Sequence, residues 1–314
     1  MQLIRPDINI DFLASRKKAL IFSTIMIVVS LALIAFKGLN LGIDFTGGTL
    51  VEVRFHQQVK TADIRQALVP AGYGKAVIQE FGSPEEILIR VQNQEGVEAS
   101  AISTAILDAL TDKFGADQVE MRRVEFVGPQ VGEELKTAGM MAVFYTLIGI
   151  LIYVMVRFKL RFALGADAAI LHDIIIVVGV FSALQLEFSL SVVAALLTVL
   201  GYSLNDTIVV FDRIRENFEI NKKKKNPLDE VEICNQSINQ TLARTLMTSA
   251  TTLLVVFSLY FFGGEVIHNF AFALLVGIAV GTYSSIFIAS PIMLSLEGKF
   301  EMSEEELKEL ENRP

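Results

Sequence analysis

The chain has 314 residues, 52% of them hydrophobic, with a net charge of −8 and a mean hydropathy of +0.51. Soluble domains hold about 45–50% apolar residues even with glycine counted; the repeated apolar runs of about 18 residues or more seen here exclude a soluble protein and define a membrane one. The single cysteine, Cys234, excludes an internal disulfide, and His56, His172 and His268 lie too far apart in sequence for metal-ligand spacing, so no cofactor or metal is expected.

In chain order, Arg16, Lys17 and Lys18 precede an apolar run over 19–36. That run exceeds the roughly 7–15 residues of a signal-peptide core, and no A-x-A-like site closes it, so it reads as an uncleaved first span. A polar stretch, 37–137, follows, and then come apolar runs at 138–156, 163–184, 189–211, 245–262 and 270–295, with a longer polar loop at 212–244. The resulting division is 1–36 (N-terminus and first span), 37–137 (a polar domain), 138–297 (five further spans) and 298–314 (an acidic tail).

Within the polar domain, Val51, Val53 and Phe55 alternate with Glu52 and Arg54 as in a half-buried strand. Thr61–Leu68 reads as a helix with Thr61 as N-cap, and the Pro70–Gly72 segment as its stop. Ala76–Ile78 and Ile87–Val91 read as strands separated by the turn residues Gly82, Ser83 and Pro84. Ile102, Ile106, Leu110 and Phe114 carry helical spacing over 99–114 up to Gly115, and 119–126 alternates again. The order β-α-β-β-α-β predicts a ferredoxin-like α+β unit, a fold that implies no function by itself.

Lys and Arg set the orientation. They flank the first span (Arg16, Lys17, Lys18), fill the second link (Arg157, Lys159, Arg161) and follow the fourth span (Arg213, Arg215, Lys222–Lys225), while links 184–188 and 262–269 have none. Both termini are therefore expected in the cytoplasm and 37–137 outside. The Lys222–Lys225 run reads as a solvated positive loop, with contact to anionic lipid as the alternative.

The fourth span contains the most informative residue. Asp206 lies seven residues before Arg213, about 10 Å inside the expected membrane boundary. An intramembrane carboxylate costs roughly 2.5–3.5 kcal/mol on insertion scales and marks a functional site by default, with proton carriage its simplest use. Asn205 on a neighbouring face serves either as interhelical glue or functionally. In the fifth span Thr241, Thr245, Thr248 and Thr252 share a face and read as back-bonded packing. Arg244 beside them either snorkels or faces Asp206 and sets its protonation. In the third span Asp173 must face protein or water, and with His172 it forms either a relay or a structural cluster; Asp167 lies in the same span. Gly277, Gly281 and Ser285 make a small-residue packing face in the sixth span, and Pro291 is expected to kink it. No nucleophile–base pair or metal cluster is visible, so an enzyme is disfavoured.

Together these motifs resemble the SecF family of protein-export membrane subunits over nearly the whole chain. The resemblance rests on Asp44-Phe-Thr-Gly-Gly-Thr49, Val127-Gly-Pro-Gln-Val-Gly132, Leu171-His-Asp173, Gly201-Tyr-Ser-Leu-Asn-Asp206 with Asp212-Arg-Ile-Arg-Glu216, and Thr241-Leu-Ala-Arg-Thr245. It implies one six-span half of an RND-superfamily transporter in the bacterial cytoplasmic membrane. The implied partners are SecD, the SecYEG translocon, YajC and a translocating polypeptide on the outer face, with no nucleic acid. It also implies use of the proton-motive force to complete export, with Asp206 as the acid of the proton path and Arg244 as its basic partner. An RND exporter half for small molecules or lipids is one competing reading, and the short 37–137 domain argues against it; a non-transporting translocon scaffold is the other.

Overall fold

The computed structural model describes residues 9–92 and 98–296; the acidic segment 298–314 lies outside the described residues. A short turn leads into α1 (Arg16–Lys37), followed by β1 (Asn40–Leu41) and a one-turn helix, α2 (Ile43–Thr46). An α/β unit follows: β2 (Gly48–Phe55), α3 (Thr61–Leu68), β3 (Val77–Phe81), β4 (Ser83–Val91), α4 (Ala99–Phe114) and β5 (Val119–Val127). Then come α5 (Pro129–Arg157), α6 (Leu160–Leu184), β6 (Glu187–Phe188), α7 (Leu190–Lys222), α8 (Glu230–Phe262), α9 (His268–Ser284) and α10 (Ser290–Ser295). Six helical stretches among the described residues are long and apolar enough to cross a membrane: 13–37, α5, α6, α7, α8 and 268–295.

In the α/β unit the sheet runs β3-β4-β2-β5 with every neighbouring pair antiparallel. The alternation in β2 turns Val51, Val53 and Phe55 toward a core shared with Ile87 and Ile89 of β4, Ile64 and Leu68 of α3, and Ile102, Ile106 and Leu110 of α4. Lys60, not Thr61, occupies the N-cap position of α3, and Thr61 is its first helical residue. Gly82 supplies a positive φ of 75° for the tight β3–β4 turn.

The α/β unit is stitched to the helices at one junction. β1 pairs in parallel with β6. The Asp44 carboxylate accepts the backbone N–H of Leu190 at 2.7 Å, at the start of α7. Arg90 of β4 is buried; its guanidinium donates to the Leu41 carbonyl at 2.8 Å and pairs with Glu187 at 3.0 Å. Burial pushes the Glu187 carboxyl above its usual range, Arg90 pulls it down, and the nearby Asp44 and Glu125 carboxylates add to the upward push. Gly48 is required here: its φ is +140°, and a Cβ would lie 2.7 Å from the Val91 carbonyl oxygen.

In the membrane region α6, α7 and α9 form the buried centre, and α1, α5 and α8 lie at the perimeter. Two glycines set the α7–α9 approach: a Cβ on Gly277 would lie 2.3 Å from Val199 Cγ2, and one on Gly281 would lie 3.0 Å from Ser203 Cβ. The small-residue face is thus a close-contact surface, as packing without a hydrophobic driving force favours. Ahead of Pro291 the last span widens into a π-helical turn, Ser285–Ala289, which accommodates the ring that would strike the carbonyl four residues earlier.

Hydropathy reads 212–244 as a loop, but only 223–229 is non-helical. Polar helix formers carry α7 and α8 beyond the apolar core, where they pack as a hairpin. Asn217 donates to Ser237 Oγ at 2.7 Å and Gln240 Oε1 at 3.0 Å. The segment before α1 is clipped to α8 as well: Asn239 Oδ1 accepts the Ile10 N–H at 2.8 Å, and Asn235 Oδ1 accepts that of Phe12 at 2.9 Å.

Candidate functional site

Asp206 is 2% exposed and faces α8. Thr248 and Ser249 donate their hydroxyls to its two oxygens, each at 3.3 Å. Ser249 also bonds Thr282 of α9 at 2.7 Å, so α7, α8 and α9 meet at this acid. Among the described residues no cation forms an ion pair with Asp206, and its two hydrogen bonds come from hydroxyls. A hydroxyl donates to a carboxylate and accepts from a carboxylic acid, so the same partners satisfy Asp206 in either protonation state.

A second acid lies in the same helix cluster. Asp173 of α6 is fully buried. Its Oδ2 accepts Ser203 Oγ of α7 at 2.6 Å and Ser284 Oγ of α9 at 2.8 Å, and its Oδ1 meets His172 Nδ1 at 2.9 Å. His172 Nε2 is buried and makes no hydrogen bond among the described residues. The imidazole stacks on Tyr283 at 6.1 Å, whose hydroxyl meets Ser23 Oγ at 3.0 Å on α1. At 1.5 Å per residue, Asp173 lies about 16 Å from the α6 end at Leu184, and Asp206 about 24 Å from the α7 end at Leu190. The acids are therefore staggered in depth along one helix cluster.

The other singled-out residues fall differently. Arg244 is exposed on the flank of α8 and makes no ion pair with Asp206 among the described residues; one turn on, Thr248 takes the position facing the acid. Asn205 is exposed and makes no hydrogen bond to Asp206 among the described residues. The threonine stripe is back-bonded at Thr241, Thr248 and Thr252, with Thr248 reaching Asp206 as well. Sequence reasoning missed Ser203, Ser249, Thr282 and Ser284. Ser203 could have been found: it is a hydroxyl one turn before Asp206 on the same helix.

Fold and site define a class: a six-span membrane protein with an α/β unit inserted after its first span and buried acids inside its helices. Residues 106–299 match the family model for the C-terminal region of the protein export membrane proteins SecD/SecF, and residues 32–59 match the SecD/SecF GG motif. The chain is 53% identical to the protein translocase subunit SecF of Magnetococcus marinus, covering 95% of each chain. It is 52% identical to that of Vibrio alginolyticus, covering 94% of this chain and 92% of the relative. The crystal structure of SecDF, a translocon-associated membrane protein from Thermus thermophilus, superposes with a TM-score of 0.84 at 38% identity over 94% of this chain. The present chain spans 40% of that longer protein. The chain belongs to the SecF family of protein translocase subunits.

Proposed function

We propose that this protein couples the proton-motive force to the completion of protein export, acting with a SecD half beside the SecYEG translocon and YajC in the bacterial cytoplasmic membrane. In this reading both termini are cytoplasmic, and the α/β unit is a ferredoxin-like domain on the outer face, where the translocating polypeptide emerges. The β-α-β-β-α-β order with the sheet order β3-β4-β2-β5 supports the ferredoxin-like assignment. The Lys/Arg distribution supports the orientation.

One observation carries the mechanism: Asp206 is buried in a span, hydrogen-bonded by two hydroxyls and in no ion pair among the described residues. Such an acid gains and loses a proton without stranding a partner. Asp173, with His172, is the outer station of the path and Asp206 the inner one. The buried hydroxyls of Tyr202, Thr207 and Thr245, which make no hydrogen bond among the described residues, leave hydrogen-bonding capacity for proton transfer. Arg244 tunes Asp206 from the exposed flank, and Asn205 lines the path on the side where a second six-span unit docks. A proton reaching Asp206 from outside crosses about 24 Å of a roughly 30 Å core, near four fifths of the field. That is worth about 1.8 kcal/mol per 100 mV, a bias of roughly twentyfold.

The test is gradient-dependent export into inverted vesicles. Asp206→Asn keeps size and hydrogen bonding but cannot ionise; it abolishes gradient stimulation while ATP-driven translocation and complex assembly continue. Arg244→Met gives a smaller loss. Wild-type stimulation in Asp206→Asn would return Asp206 to a structural role and leave the scaffold reading standing.

A further inference from the structure

α6 belongs to the buried centre of the bundle, yet one stripe of it is open. Leu160, Leu164, Asp167, Leu171, Ile174 and Val178 follow one another at alternating steps of four and three, which places them on one face. All six are partly or fully exposed, whereas Gly165, Ala169, Asp173 and Val177 beside them are buried. The packed sides of α6 lie elsewhere. Asp173 meets Ser203 of α7 and Ser284 of α9, and a Cβ on Gly179 would strike Ser30 of α1. At about 100° per residue, these two positions stand roughly 120° to either side of Asp167. Gly165, closed against Ala289 and Met293 of the last span, stands nearly opposite it. α5 packs on α6 as well and leaves the stripe exposed.

Five residues of the stripe are aliphatic, and Asp167 is the exception. It lies seven residues from the start of α6 at Leu160, about 10 Å into the span. Its Oδ1 is buried and accepts no hydrogen bond, and its carboxyl has no ion-pair partner among the described residues. Asp173 and Asp206 are each met by two hydroxyls; Asp167 is met by none. A carboxylate on the surface of a span is expensive in hydrocarbon, and such acids are paired with protein groups or water. Lys159 and Arg161 mark the headgroup level, and Asp167 lies deeper. The cation that meets it therefore arrives on a helix. A single polar residue in a seam of alternating three and four steps also sets the register of the helix that packs there.

We infer that this stripe of α6 is the docking seam for a membrane-spanning helix of another protein, and that a lysine or arginine of that helix pairs with Asp167. The seam is separate from the acids of the proton path and does not depend on their role.

The test uses the full chain, freed of other membrane proteins in mild detergent and returned to phosphatidylcholine vesicles. The probes are polyleucine spans of about 20 residues with a photoreactive group. One carries a lysine about 10 Å from its end, and the other is uncharged. Crosslinks to α6 are located and counted by mass spectrometry. The lysine span labels α6 roughly tenfold more than the uncharged one. Asp167→Leu, which has no hydrogen bond to lose and suits an exposed site in a span, removes this preference. Asp167→Lys transfers it to a span with glutamate in place of the lysine. Equal labelling by the two spans, or a lysine preference that survives Asp167→Leu, overturns the inference. So does loss of the preference when phosphatidylethanolamine replaces phosphatidylcholine, because a lipid amine then holds the acid.

Discussion

The α7–α9 contact gives the most direct check on how packing holds the buried acids. An alanine at 277 places its Cβ 2.3 Å from Val199 Cγ2, 2.8 Å from Cγ1 and 3.1 Å from Cβ. Carbon contacts relax near 3.5–4.0 Å, so the helices must part by about 1 Å. Rotating Val199 gives little relief, because it is β-branched and both Cγ atoms lie within 3 Å, whereas its Cβ at 3.1 Å needs to give only a few tenths of an ångström. Overpacking of this kind costs about 1–3 kcal/mol, which for a chain of this size lowers Tm by roughly 2–12 °C. The strain reaches the site one turn away, where Ser203 packs on Gly281 and donates to Asp173 at 2.6 Å. Cys234, the single cysteine of the chain and fully buried, supplies the readout: a thiol-reactive dye labels it only on unfolding. Gly277→Ala labels at lower temperature, and Gly277→Ala combined with Val199→Ala recovers most of the loss. Wild-type melting of the single variant, or no recovery in the double, would refute the argument.

Two further outcomes concern the junction. Glu187 has a raised carboxyl pKa in the folded protein, so the folded state holds that proton more tightly than the unfolded chain does. Its contribution is fully present below the ordinary glutamate value and is lost as pH rises through the folded one. Glu187→Gln does not titrate, so its Tm relative to wild type should improve as pH rises above the ordinary glutamate value of 4.5; a difference that is flat or runs the other way contradicts this. Gly48→Ala meets both an unfavourable φ and the Val91 carbonyl, and should cost more than about 2 kcal/mol, seen as early Cys234 labelling; a silent substitution would mean that the β2–β4 edge can shift.

The sequence made local features legible and left the long-range ones hidden. The helices at 61–68 and 99–114 were readable to within a residue, with Thr61 inside the first rather than capping it, because apolar spacing and the glycines after them are local signals. The spans were readable as apolar runs, but their ends were not: hydropathy stops where water begins, whereas α7 and α8 continue as a polar hairpin because they have each other to pack against. Asp206, Asp173 and His172 stood out as polar groups in apolar surroundings. Ser203, Ser249 and Ser284 did not, since a span hydroxyl that bonds its own backbone looks the same as one that reaches another helix. Arg244 and Asp206 looked like a pair by charge; the rotation of α8 instead sets Thr248 against the acid and leaves Arg244 on the flank. The Arg90–Glu187 pair joins residues nearly a hundred positions apart, and no local pattern announces it.

The perimeter placement of α8 has a mechanical consequence. Both hydroxyls that hold Asp206 sit on this outer helix, 18 and 19 residues from its start at Glu230. The helix is thus a lever about 28 Å long from its hairpin turn to the acid. A tilt of about 5° about that turn sweeps Ser249 through roughly 2.5 Å, enough to part a 3.3 Å hydrogen bond. A few degrees of motion in a helix that the buried core does not enclose would uncover the acid on one side, so the helix acts as a latch and Asp206 as its catch.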